Sequence, residues 1–268
     1  MGEVDVTIAV THIGTATMLL ELDGLRLLTD PVFDAPGRTY GFGFGTRSKH
    51  LETPAMTVEQ VGRVDAVLLS HDQHADNFDD AGRAMLPSVP VVVTTKPAAN
   101  RLGHPGAIGL SDFESTTLAA SGLKVTATPA RHGPPGSLPI AGRVIGFMLE
   151  HAALPGPIYI SGDTVWFEGI AEVARRFQPA TSFLHLGSVK FPISGPLKYT
   201  FDAQEAVTAA KALRSGRIIP LHYEGWTHFR EPTSLAAEVL KRELGDRVQW
   251  LERGVRTELE GTGTFSLR

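Results

Sequence analysis

Cysteine is absent from the 268 residues. That absence excludes disulfides, thiolate zinc sites, iron–sulfur clusters and cysteine nucleophiles. Any metal must therefore be held by His, Asp, Glu or backbone oxygen. No apolar run approaches the roughly 18 residues of a membrane span, so none is expected. A basic excess is missing too: 25 Lys and Arg face 29 Asp and Glu, and the net charge is −4. With no more than two basic residues in a row, nucleic acid is not an expected partner. The first five residues carry Glu3 and Asp5 in place of the basic region and apolar core of a signal peptide, and a cytoplasmic location is the expectation. A small-molecule substrate is the expected partner, and a homo-oligomer is left open.

What is present points to a packed, turn-rich fold. Hydrophobic residues are 42% and charged residues 20%, enough for a sizeable core. The 28 Gly and 18 Pro imply many turns. Stretches 4–12, 17–22 and 25–30 read as strands, the last two joined by the hairpin signal Asp23-Gly24. The Gly- and aromatic-rich stretch 31–54 reads as a long functional loop. Apolar runs at 64–70, 90–95 and 123–128 read as strands, with a short helix near 96–102. Further strands are expected at 143–150, 157–161, 181–186 and 217–221, helices at 166–177, 202–214 and 234–244, and alternating strands over 248–267. This grammar suggests one domain over 1–268, made of two α/β halves of approximately 1–125 and 126–268 packed through their sheets.

Ten histidines stand against only three Trp and four Tyr. The densest group is Ser70-His71-Asp72-Gln73-His74-Ala75-Asp76-Asn77-Phe78-Asp79, directly after an apolar strand. Strand-end loops are where a rigid sheet presents ligands, and two imidazoles with a nearby carboxylate can converge on a divalent ion. His132 follows a strand in a Pro/Gly loop. Asp163 and His222 end short apolar strands, and Asp30 ends the second hairpin. Each alone is as readily a cap or turn residue; together they point to one rim.

The ordered set resembles the metallo-β-lactamase-fold hydrolases, in particular their ascorbate-6-phosphate-lactonase-like and phospholipase-D-like branch. The similarity rests on His12-Ile13-Gly14-Thr15, Thr29-Asp30-Pro31, the 70–79 loop beside the hallmark His-x-His-x-Asp-His, Ala130-Arg131-His132, Ser161-Gly162-Asp163-Thr164 and Pro220-Leu221-His222-Tyr223. It implies an αββα sandwich, that is, two mixed β-sheets flanked by helices. It also implies a two-metal site, with His71, His74 and His132 on the first ion, Asp163 bridging, and Asp76 with His222 on the second. The loop departs from the hallmark by one inserted residue, leaving Asp72 or Gln73 as alternatives to His71. It also has Asn77 where the family has a final His. An amide oxygen is a poorer zinc ligand than imidazole, so one tight and one weak ion are expected, zinc first and manganese as the alternative.

The chemistry implied is hydrolysis of an ester, lactone or phosphodiester through a metal-bound hydroxide, since a divalent ion lowers the pKa of its water to about 7. Asp76 could orient that water or accept its proton. Arg38, Arg47, Lys49, Arg131 and Lys190 could bind an anionic substrate or simply be solvated. The competing reading is a metal- or ligand-binding module without turnover. His185 could lend an imidazole to the second position or pack under the loop, and His12 is read as structural or supporting. His50, His104 and His151 are expected at the surface. Trp166, Tyr223, Trp226 and Phe229 could line a pocket or pack in the core.

Overall fold

The computed structural model describes residues 8–119 and 121–259. Strands β1 (Ile8–Gly14), β2 (Thr17–Leu22) and β3 (Leu25–Thr29) form an antiparallel meander. Asp23 and Gly24, at φ 49° and 77°, make its second turn, the left-handed pair that a two-residue hairpin requires. The 31–54 stretch is not structureless. It holds a small hairpin, β4 (Thr39–Gly41) and β5 (Arg47–Lys49), whose three-residue strands are too short to show a period in sequence. Next come α1 (Val58–Val61), β6 (Ala66–Leu68), α2 (Asp80–Met85), β7 (Val91–Thr95), α3 (Lys96–Leu102) and β8 (Ala107–Leu110). The chain continues through β9 (Ser115–Leu118), β10 (Leu123–Pro129), α4 (Leu138–Ala141), β11 (Ile145–Glu150), β12 (Ile158–Ile160) and α5 (Glu168–Arg176). It finishes with β13 (Thr181–His185), α6 (Ala203–Leu213), β14 (Arg217–Leu221), α7 (Thr233–Leu244) and β15 (Thr257–Glu258).

Two mixed sheets result, ordered β15-β1-β2-β3-β6-β7-β8 and β14-β13-β12-β11-β10-β9. β1–β3 and β6–β8 build the first and β9–β14 the second. The second sheet already begins at Ser115, and β15 returns to pair with β1. Strands β8 and β9 escaped sequence reading because, at the sheet margins, they bury little and show no clear alternation. Of the alternating tail expected over 248–267, only β15 is a strand within the described residues, and 260–267 lie outside them.

Neighbouring residues on each strand feed different layers, as the period of two dictates. Leu27, Val93, Phe147, Phe183 and Ile219 fill the space between the sheets. Leu28 and Val92 instead face a core with Val61 and Met85 of α1 and α2, while Met148, Leu184 and Ile218 face one built with α5, α6 and α7. Each fully buried Leu, Ile or Phe contributes about 1.5–3 kcal/mol relative to exposure. Side chains cap the helices that border the rim: Asp79 accepts from the Gly82 amide and Asp202 from that of Glu205. Among the described residues no helix is long and apolar enough to cross a membrane.

Strand direction gathers the functional loops at one edge. β3, β6 and β7 are mutually parallel, as are β12, β13 and β14. β10 runs antiparallel to β11, which runs antiparallel to β12, so β10 ends at the same rim as β12. The carboxyl ends of these strands therefore deliver 30, 70–79, 130–133, 161–164, 185 and 222 to one place, where open α/β sheets bind their ligands.

Candidate metal centre

Local structure aims the side chains before any tertiary contact is counted. Asp30 and His222 follow β3 and β14 with φ of 35° and 56°, a left-handed conformation uncommon for non-glycine residues and frequent at functional sites. Asp30 Oδ1 accepts from the Ser70 amide at 2.7 Å, propping the start of the His71 loop. Asp79 accepts from the amides of Phe33 and Asp34, both at 2.6 Å, and so ties the end of that loop to the chain beyond β3. At Gly162 (φ 60°), just past β12, the chain runs so close to the neighbouring β11 that a Cβ would lie 2.5 Å from the carbonyl oxygen of Ile145, which only glycine permits.

Two groups of ligand atoms result: His71, His74 and His132, then Asp76, Asp163 and His222, all six residues buried. His74 Nδ1 lies 3.0 Å from His71 Nε2 and 3.1 Å from His132 Nε2. A tetrahedral ion with bonds of about 2.0–2.1 Å separates its ligand nitrogens by about 3.3 Å, close to this spacing. The far nitrogens fix the tautomers. His132 Nδ1 donates to the carbonyl of Tyr199 at 2.7 Å, leaving its Nε2 lone pair facing His74. His222 Nδ1 is 3.4 Å from the Leu186 carbonyl, to which it can only donate. Asp163 Oδ2 stands between the groups, 3.9 Å from His132 Nε2 and 3.6 Å from His222 Nε2.

Three atoms of the second group, Asp76 Oδ1, Asp163 Oδ2 and His222 Nε2, are buried without a hydrogen-bond partner. Buried polar atoms are nearly always satisfied, and a cation bound by these atoms would satisfy all three. The donor set, imidazole and carboxylate without thiolate, suits zinc or manganese. The residues present fit the metal that the fold implies.

Burial holds the His71 imidazolium well below its ordinary range and brings His74 down to about 4, so both are neutral. In the second group burial also disfavours charge, but the carboxylates of Asp163 and Asp76 reverse that at His222 and raise it to about 9. Burial pushes the Asp76 carboxyl up. The imidazole of His222 3.4 Å away and the hydrogen bond from His228 outweigh this and hold it well below the carboxylate range. For Asp163 the same contest is won by the His222 charge and the His185 hydrogen bond, again lowering it. Burial raises Asp30 well above its ordinary value, consistent with a prop rather than a ligand.

The six residues expected as ligands are brought together, and His71 is the member facing His74 and His132. Asp72 turns away to pair with Arg101, and Gln73 is exposed. Asn77 is buried beside Ser70, its Nδ2 3.5 Å from the Ser70 hydroxyl and its Oδ1 unpartnered. His185 bonds to neither a backbone carbonyl nor the first group. Its Nδ1 donates to Asp163 Oδ1 at 3.0 Å, and its ring stacks on His222. His12 is buried, with Nε2 3.2 Å from the Thr15 carbonyl. His50, expected at the surface, is buried and stacked on Trp226 because its strand-end bridge closes the 31–54 stretch over the core. His104 and His151 are half-buried, each bonding a backbone carbonyl.

His228 is the functional side chain that sequence reading missed. Its Nε2 donates to Asp76 Oδ2 at 2.9 Å, and its Nδ1 meets the Ser48 hydroxyl. No strand precedes it, so the strand-end signature that marks the others is absent. Of the expected cations, Arg131 is spent on the Gly133 and Trp166 carbonyls and lies over the Phe167 ring. Arg38 pairs with Asp80 and Asp34, and Arg47 and Lys49 are exposed. The aromatics lining the opening above His74 and His132 are Phe42, Phe191 and Tyr199; Trp166 and Tyr223 pack in the outer core of the second sheet.

This is the αββα sandwich of the metallo-β-lactamase fold, with its ligand groups at the shared rim. The chain superposes on a possible metal-dependent hydrolase from Veillonella parvula with a TM-score of 0.81 at 22% identity, covering 94% of this chain and all of the other. It superposes on an isothiocyanate hydrolase from Delia radicum gut bacteria with a TM-score of 0.76 at 24% identity, covering 93% and 98%. A metal-dependent hydrolase of Exiguobacterium is 25% identical over 248 residues, 87% of this chain and 93% of that protein. Residues 25–223 match the beta-lactamase superfamily domain, and the chain belongs to that family.

Proposed function

We propose that the chain is a metal-dependent hydrolase of a small-molecule ester, lactone or phosphodiester. His71, His74 and His132 hold one divalent ion, Asp76 and His222 a second, and Asp163 reaches both. The observation that carries this reading is the buried, unpartnered Asp76 Oδ1, Asp163 Oδ2 and His222 Nε2, set beside the imidazole nitrogens of His71 and His132 that converge on His74. Zinc suits the all-imidazole group best, with manganese as the alternative. A bound ion supplies Lewis acidity and a water that ionises near neutral pH.

The chain's own residues supply the rest. Asp76 presents Oδ1 to the site while Oδ2 takes the hydrogen bond from His228. A carboxyl held far below its usual range is a weak base, so orienting the attacking water is the task its chemistry supports. His185 and His228 act through Asp163 and Asp76, fixing which carboxylate oxygens face inward.

The test is metal analysis of the purified protein followed by turnover of aryl esters, lactones, bis-aryl phosphates and an aryl isothiocyanate. The last is included because a protein of this fold is a hydrolase of that class. Turnover lost on chelation and restored by zinc or manganese is expected. Metal retained with no turnover on any arm would leave the binding-module reading in its place.

A further inference from the structure

The opening above the ligand groups is walled by Phe42, Ile140, Val189, Phe191 and Tyr199, and its floor is His74, Asp76 and His132. It encloses about 360 Å³, solvent at its mouth included. No Lys or Arg lines it, and Asp76, part of the floor, is its one acidic residue. Phe42 ties the wall to the rings around it: it lies, tilted, 5.5 Å from His74, 5.6 Å from Phe191 and 4.9 Å from His228 behind.

The lip continues the same chemistry. Among the described residues eight large hydrophobic side chains are exposed. Five of them, Phe44, Leu138, Ile140, Ile193 and Leu197, sit on the three segments that wall this opening, 42–46, 137–141 and 189–199. Scattered exposed apolar residues are ordinary, but a cluster around a pocket mouth marks a binding surface. Cations stand beside these segments but do not line the opening: Lys198 pairs with Asp202 and Glu205, and Arg47 and Lys190 adjoin the lining residues Thr46, Val189 and Phe191 without joining them; Arg131 is bound to backbone carbonyls, and Arg38 is paired with Asp80.

We propose that this apolar channel selects a neutral substrate, an uncharged aryl or alkyl body with its scissile group at the end that reaches His74 and His132. The proposal rests on the hydrolase reading for the word substrate, and on the channel for the rest. A charged body would lose its hydration against Phe42, Ile140 and Phe191 with no counter-ion on the wall. One added or missing methylene in such a pocket is worth about 10–200-fold in discrimination, so the preference is measurable.

The test uses a matched pair, phenylmethanethiol and 4-(mercaptomethyl)benzoate, titrated calorimetrically into the zinc-loaded protein. Both offer the same thiol to the ion and differ only in a carboxylate on the body. The neutral thiol is expected to bind at least about tenfold tighter. Ile140→Lys, at a position 46% exposed and free to carry a charge, is expected to erase or reverse the preference with zinc content unchanged. Phe44→Lys, 68% exposed on another lip segment, repeats the measurement should the first variant fold poorly. Equal or stronger binding of the carboxylate by the unaltered protein overturns the proposal, as does an unchanged preference in both variants. If the protein takes up neither zinc nor manganese the hydrolase reading falls. Toluene against 4-methylbenzoate, followed by NMR line broadening on the metal-free protein, then decides the channel, and no preference for toluene overturns it.

Discussion

The two ligand groups at the rim draw on similar residues but are held in opposite ways. His71 and His132 lean on neutral partners, the Ser70 hydroxyl and the Tyr199 carbonyl, and burial keeps His71 and His74 uncharged. Asp76 and Asp163 are backed by the imidazoles of His228 and His185 and face a His222 raised to about 9. Without an ion His71 and His74 are neutral. The second group holds its carboxylates through the His185 and His228 imidazoles together with a proton on His222 in the place of a cation. An ion entering the first group displaces no proton from His71 or His74; an ion entering the second must displace the one on His222.

Asp163 joins the groups, so removing its charge breaks the comparison most completely. Asp163→Asn keeps the shape and is expected to lower metal retention and turnover together by at least about 100-fold, more than loss of a supporting partner alone. Elemental analysis and activity on the responsive substrate measure both, and circular dichroism should show a folded chain. Full metal content in this variant would refute the shared-carboxylate arrangement.

The proton on His222 gives the next largest effect. Below about 9 the second ion competes with that proton, so its affinity should climb about tenfold per pH unit and level off above about 9. Between pH 7 and the plateau the gain is about 100-fold. At pH 7 dialysis should leave one ion per chain, and calorimetry in buffers of different ionisation enthalpy should find about one proton released by the second equivalent. Two equally tight ions at pH 7, or no proton released with the second, would show the groups to be alike.

His185→Ala and His228→Ala sharpen the contrast by removing the imidazoles behind the carboxylates. Each is expected to weaken the second ion about 10–100-fold and leave the first unchanged, read by competitive zinc titration. An unchanged second affinity in both would mean that the carboxylates orient themselves. Ser48→Ala is the mildest intervention. Losing the hydroxyl beside His228 Nδ1 should cost about 1 kcal/mol in urea unfolding and weaken the second ion only a few-fold.

Much of this arrangement was legible before folding because strand ends leave plain signatures. Asp30, His132, Asp163 and His222 each close an apolar run, and His71 and His74 open the loop after another. Short segments resisted reading. The hairpin 39–49 has strands of three residues, and β8 and β9 bury too little to alternate. His50 looked like surface because nothing local says that it stacks on Trp226, far along the chain.

The sequence by itself determined the donor chemistry, since a chain without cysteine can offer only imidazole, carboxylate and carbonyl. Through periodicities that local geometry imposes, it also marked most of the longer strands and helices. Only the tertiary structure decided that His228, from a loop with no preceding strand, would back Asp76, and that Phe42, Ile140, Phe191 and Tyr199 would form one apolar wall. These residues lie up to 186 positions apart, from Phe42 to His228. Their meeting depends on how two sheets pack and which loops then share a rim, information that no local period carries.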